Sequence, residues 1–188
     1  MQSDVAFGTC SAPLPEGGAH SFVDLRLSAM DMVVHWRRCS LTADFLAGFV
    51  AQGFEGREEE ARLELSMVID ELIENAVKFC ADVREPVSVM VHNYGDVIVL
   101  EASNLCDLES AQALEAAIRR VLESDLESLF IQQIEESASA DRLSSRLGFI
   151  TLCVNHGARL GARISKLPQK DLYTVTVQVL LDRPEVVR

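Results

Sequence analysis

Residues 71–79 read Glu71-Leu72-Ile73-Glu74-Asn75-Ala76-Val77-Lys78-Phe79, inside a run from Glu55 to Phe79 that carries the strongest helical pattern of the chain. At about 100° per residue, Leu65, Val68, Ile69, Leu72, Ala76 and Phe79 fall on one stripe, which should face a sheet. Glu71, Asn75 and Lys78 are spaced i, i+4, i+7 and form a second stripe, about 100° round from the first. These three side chains therefore stand together at the edge of the core, on a rigid element. The amide oxygen of Asn75 is a hard ligand suited to Mg²⁺. Lys78 can offset phosphate charge, and Glu71 can orient or deprotonate an attacking hydroxyl or water. The same spacing also serves a solvated helix flank with a Glu74–Lys78 pair, and spacing alone does not separate the two readings.

Outward from this helix the chain alternates strands and helices without strict order. Ser21 to Leu27 alternates apolar and polar residues and is predicted as a strand, as is Met30 to Trp36. Ser40 is a candidate N-cap for a helix that runs to about Gln52 and stops at Gly53. Acidic residues Glu55, Glu58, Glu59 and Glu60 suit the start of the long helix, where its dipole favours negative charge. Val87 to His92 and Val97 to Ser103 form a predicted hairpin around Asn93-Tyr94-Gly95-Asp96. Helices are predicted over 107–123, 126–138 and 144–155, and closing strands over 163–166 and 172–181. Strands joined as hairpins, with helices between, predict a two-layer α/β sandwich: a mixed, largely antiparallel sheet covered by helices on one face. One domain over 19–182 is expected, with loose tails at 1–18 and 183–188. Trp36 reads as a core anchor.

Bulk properties narrow the function classes. The chain has 188 residues, 48% of them hydrophobic, which suffices for one real core. A net charge of -12 repels nucleic-acid phosphate and anionic membrane surfaces, so neither is an expected partner. No apolar run approaches the roughly 20 residues of a membrane span, and the N-terminus has no signal-peptide pattern. The five cysteines form no CxxC pair, which fits reduced thiols in the cytoplasm. The four histidines are scattered without zinc-ligand spacing.

The stretch ELIENAVKF resembles the N box of the GHKL (Bergerat-fold) ATPases and kinases, where a Glu precedes the signature Asn by four and a Lys follows it by three. Two further segments stand in that family's order. Val97 to Asn104 is a strand ending where the family places DxGxG, with Asn104 about where its adenine-reading Asp stands and both glycines missing. Ser145-Arg146-Leu147-Gly148-Phe149-Ile150-Thr151-Leu152 resembles the second glycine box, with Arg146 in place of its preceding Gly. The resemblance implies ATP and Mg²⁺ as cofactors, Glu71 as catalytic base and Asn75 as the magnesium ligand. It further implies Lys78, Asn104, Arg146, Gly148 and Thr174 as nucleotide contacts, beneath a helical lid over about 105–144. The chain also resembles single-domain anti-sigma-factor serine kinases and a divergent bacterial group that opens with a strand-WxRC-helix pattern, here Trp36-Arg37-Arg38-Cys39. That likeness implies a serine/threonine kinase acting on a STAS-domain (anti-sigma-antagonist-like) partner, with a homodimer possible. The degenerate glycine boxes keep a second reading open: a GHKL-shaped adaptor that regulates its partner by binding only.

Overall fold

A computed structural model describes residues 4–139, 147–168 and 170–186 of the chain. Six strands form one sheet: β1 (Asp4–Gly8), β2 (Ser21–Ser28), β3 (Pro86–Asn93), β4 (Val97–Cys106), β5 (Arg159–Lys166) and β6 (Tyr173–Asp182). Their order is β1-β5-β6-β4-β3-β2, and every pairing is antiparallel. Seven helices accompany it among the described residues: α1 (Ala29–Val34), α2 (Arg37–Ala51), α3 (Glu58–Lys78), α4 (Leu108–Glu123), α5 (Leu126–Ser139), α6 (Leu147–His156) and α7 (Arg183–Val186). The expected α/β sandwich is present, with an antiparallel rather than a mixed sheet.

The core lies between one face of the sheet and α3. Alternation places Val87, Val89 and Val91 of β3, Ile98, Leu100 and Ala102 of β4, and Val175, Val177 and Val179 of β6 on that face. The apolar stripe of α3 meets them, with Leu65, Val68, Ile69 and Leu72 all buried. Helix α2 packs beside α3 through small residues, Cys39, Ala43, Ala47 and Ala51, which let the two backbones approach.

Five local expectations are corrected, the fifth at Ser40. Residues 4–11 are not a loose tail: β1 pairs with β5, and a 3₁₀ turn at Thr9–Ser11 follows it. The chain then runs from one sheet edge to the other before entering β2. Met30 to Val34 is helix rather than strand. The Ser28 hydroxyl accepts from the Asp31 N–H at 3.3 Å, and this cap outweighs the strand preference of Val33 and Val34. Arg183–Val186 form α7, with Val186 buried and the Arg183 guanidinium bonded to the Gly53 carbonyl over the Phe54 ring. Trp36 is no core anchor: it is 42% exposed, with its indole N–H donating to Glu74 at 3.0 Å.

Ser40 does not cap α2, which begins earlier. Its hydroxyl donates to Asp70 Oδ2 at 3.2 Å, while Asp70 Oδ1 is buried without a hydrogen-bond partner among the described residues. Burial, then the charge of Glu74, raises the Asp70 carboxyl above its ordinary value. A raised carboxyl pKa means that the folded state holds a proton the unfolded chain releases. Stability contributed there is therefore lost as pH rises through the folded-state pKa. Asp70→Asn is expected to raise the melting temperature by about 2 °C near pH 7, and the gain should vanish near pH 3, where both states are protonated. Thermal melts of the two proteins across that pH range check it.

All five cysteines are free. Burial pushes Cys106 up to about 12 and Cys10, Cys39 and Cys153 up to about 11, so none of these four is an activated nucleophile.

Candidate functional site

Helix α3 delivers the row Glu71, Asn75, Lys78 on its flank toward α6. Asn75 is 6% exposed. Its amide nitrogen donates twice to the preceding turn: to the Glu71 carbonyl at 2.8 Å and to Glu71 Oε1 at 2.5 Å. Those bonds fix the carboxylate against the carboxamide. They leave Asn75 Oδ1 without a hydrogen bond among the described residues.

Gly148 closes the other side. It stands in the first turn of α6, and a Cβ built there would lie 1.7 Å from Glu71 Oε1 and 2.4 Å from its carboxyl carbon. The glycine is thus needed for the carboxylate to sit where it does. A helix start also favours an anion, because its first N–H groups have no partner within the helix. One end of α6 therefore faces Glu71, while the other end is tied to α3 by His156, whose Nδ1 lies 2.5 Å from Glu64 Oε1. The two helices run antiparallel, clamped at both ends of their contact.

A cavity of about 440 Å³, of the size that small-molecule sites occupy, lies near the C-terminal end of α3, and none of Glu71, Asn75, Lys78 or Gly148 lines it. Its walls include Phe79 at the end of α3, Ser110, Leu114 and Arg120 of α4, Leu129 of α5 and Phe149 of α6. Phe79 is one turn past Asn75 and Phe149 follows Gly148, so the polar cluster and the apolar cavity adjoin. Arg120 reaches Gln132 at 3.1 Å and is the one cation in the wall among the described residues.

The remaining expected contacts are placed as follows. Lys78 is exposed, its Nζ 5.7 Å from the Phe79 ring centroid, at the solvent end of the row. Asn104 is buried on the helix-covered face of β4, and its amide donates to the Phe79 carbonyl at 3.1 Å, joining the end of α3 to the sheet. Thr174 lies apart from the cluster. Asn104 is in register with Val175, so Thr174 points to the opposite face, where Thr176 meets Ser103 at 2.8 Å. Arg146 lies outside the described residues, as do residues 140–145 of the expected lid. Glu71 therefore contacts both Asn75 and Gly148, and Asn104 is linked to them through the end of α3.

Sequence reading missed Ser110, Arg120 and Phe149 as cavity residues and treated Phe79 only as core. Phe79 lies on both the apolar stripe and the cavity wall, which no periodicity distinguishes. Among the described residues no group of three His, Cys, Asp or Glu side chains could hold a metal ion. A divalent ion bound here would need ligands from a nucleotide as well as from Asn75.

Comparison with known proteins locates the fold. No family model matches the chain, and no curated protein matches it. Among solved structures, it is similar to a chain in the crystal structure of the SiaB-SiaC complex from Pseudomonas aeruginosa. The TM-score is 0.63 and the identity 14%, over 87% of this chain and 91% of that one. The likeness establishes a shared fold. No helix among the described residues is long and apolar enough to cross a membrane.

Proposed function

We propose that this chain is a GHKL-type regulatory protein that binds MgATP beside α3 and transfers a phosphoryl group to a serine or threonine of a STAS-type protein partner. The observation that carries the reading is the Glu71–Asn75–Gly148 contact. One hydrogen bond orients a carboxylate and, on the same amide, leaves an oxygen free for a metal, while a glycine gives the carboxylate the room it occupies. The neighbouring structure is of a two-protein complex, which supports a protein partner.

ATP would supply the transferable phosphoryl group and carry the magnesium ion. On the protein side, Asn75 Oδ1 would hold that ion, and the first turn of α6 would face phosphate. Phe79 and Phe149 offer apolar walls for a base, and Arg120 a positive charge at the cavity rim. Glu71 would take the proton from the acceptor hydroxyl as its oxygen bonds to the terminal phosphorus and the bond to the ADP oxygen breaks. Asn75 holds Glu71 in one orientation for that step.

Titration calorimetry with MgATP tests the binding half. The unmodified chain is expected to bind, and Asn75→Ala to weaken binding by about tenfold or more. Absence of heat with the unmodified chain refutes nucleotide binding. Labelled phosphate transfer from ATP to the purified partner, lost in Glu71→Gln, tests the catalytic half.

A second reading, an adaptor that acts by binding alone, draws on Asn104. Its amide is spent on the Phe79 carbonyl and no carboxylate takes its place, so an adenine amino group has no charged acceptor there. Partner binding undiminished by Asn75→Ala, with no phosphate transfer, would establish that reading.

A further inference from the structure

Helix α4 presents a face too small to fill the space beside it. Ser110, Ala113, Ala117 and Arg120 recur at three- and four-residue steps, so they share one side of the helix, and that side borders the cavity of about 440 Å³. Ala116 borders it as well. Across the gap stand Phe79, Leu129 and Phe149. Alanines where a core-facing helix carries Leu or Ile leave these larger side chains without atoms to touch, and the walls lose the contacts that close packing supplies.

The cavity is long rather than round. Along the axis of α4, the step from Ser110 to Arg120 covers about 15 Å. Neighbouring bonds fix its two ends. Asn104 donates to the Phe79 carbonyl at 3.1 Å, shortly before α4 begins, so Phe79 stands at the Ser110 end. Arg120 donates to Gln132 at 3.1 Å, one turn beyond Leu129 on α5, so Leu129 stands at the Arg120 end. A flat base fills only part of that length, whereas an extended hydrocarbon chain fills it.

Charge is placed at one end only. Ser110 carries an uncharged hydroxyl. Arg120 is exposed at the mouth, bonds to the neutral Gln132 amide and forms no ion pair among the described residues. A guanidinium without a carboxylate partner presents its fork of donors to a carboxylate supplied from outside. An apolar trough with one cation at its end matches an apolar chain with one anion at its end. We infer that this cavity binds a medium-chain monocarboxylate, its carboxylate on Arg120 and its chain lying along α4 toward Phe79.

Calorimetric titration of the full chain with sodium decanoate, in the absence of nucleotide, tests the inference. Saturable binding at one site per chain is expected, with a dissociation constant at or below about 100 μM. Octanoate, shorter by two methylenes, should bind about tenfold more weakly. Decanol, with the same chain and no charge, should lose about tenfold, as should decanoate with Arg120→Glu. Ala117→Phe puts a ring into the trough and should abolish binding. Arg120→Glu, at an exposed position, supplies the test if that ring disturbs folding. The inference stands apart from the nucleotide reading: a chain that takes decanoate and no MgATP refutes that reading and keeps this one. Where both hold, decanoate should compete with MgATP, because the base would lie against Phe79 and Phe149. Absence of saturable heat with the unmodified chain overturns the inference. Decanol binding as tightly as decanoate overturns it too, as does decanoate binding untouched by both substitutions.

Discussion

Gly148→Ala is expected to abolish phosphoryl transfer while leaving the protein folded. The new methyl carbon would fall 1.7 Å from Glu71 Oε1, far inside contact distance, so the carboxylate must swing out. It would leave behind its hydrogen bond with Asn75. Under the proposed mechanism this displaces the base, a loss of about 10² to 10⁴ in rate. The stability change should be small. Alanine is favoured over glycine in a helix by about 1 kcal/mol, which offsets much of the lost charge-assisted bond. Thermal melts within a few degrees of the unmodified chain, together with absent transfer, are the expected pair of results. Full transfer activity in Gly148→Ala would remove Glu71 from the mechanism.

The largest expected effect on stability comes from Gly161→Val. Gly161 of β5 is in register with Gly8 of β1, and a Cβ at 161 would meet the backbone nitrogens of Thr9 and Cys10 at 2.5 Å. Here the obstacle is backbone rather than the movable end of a side chain. The 3₁₀ turn must lift off, taking the Gly8 end of β1 with it. A cost of about 3 kcal/mol or more is expected, lowering the melting temperature by roughly 6 to 12 °C. Hydrogen exchange should show lost amide protection over residues 4–8. An unchanged melt would mean that β1 does not contribute to the fold as described.

These two glycines show different degrees of legibility. Gly148 is legible through the resemblance of residues 145–152 to the second glycine box of the GHKL proteins. Its actual task, giving room to a carboxylate 77 residues earlier in the chain, is a property of how α6 packs on α3. Gly161 carried no signal. Its neighbours are the first residues of the chain, and nothing in Asp4 to Gly8 announces which strand they will pair with.

What the amino-acid sequence determined by itself is whatever repeats over a few residues. The apolar stripe of α3, the row Glu71–Asn75–Lys78 and the alternation in β3, β4 and β6 follow from helix and strand periods, which are set by the backbone alone. Tertiary structure decided which of those faces meet. Thr174 and Thr176 visibly share a face of β6, but whether it is the covered face depends on the register with β4, which puts Val175 rather than Thr174 beside Asn104. The cavity under α4 and α5 has the same origin, since its walls come from four helices whose separate patterns say nothing of their mutual approach. A period states that a side is apolar, whereas its partner is chosen by packing, loop lengths and registers across the entire fold.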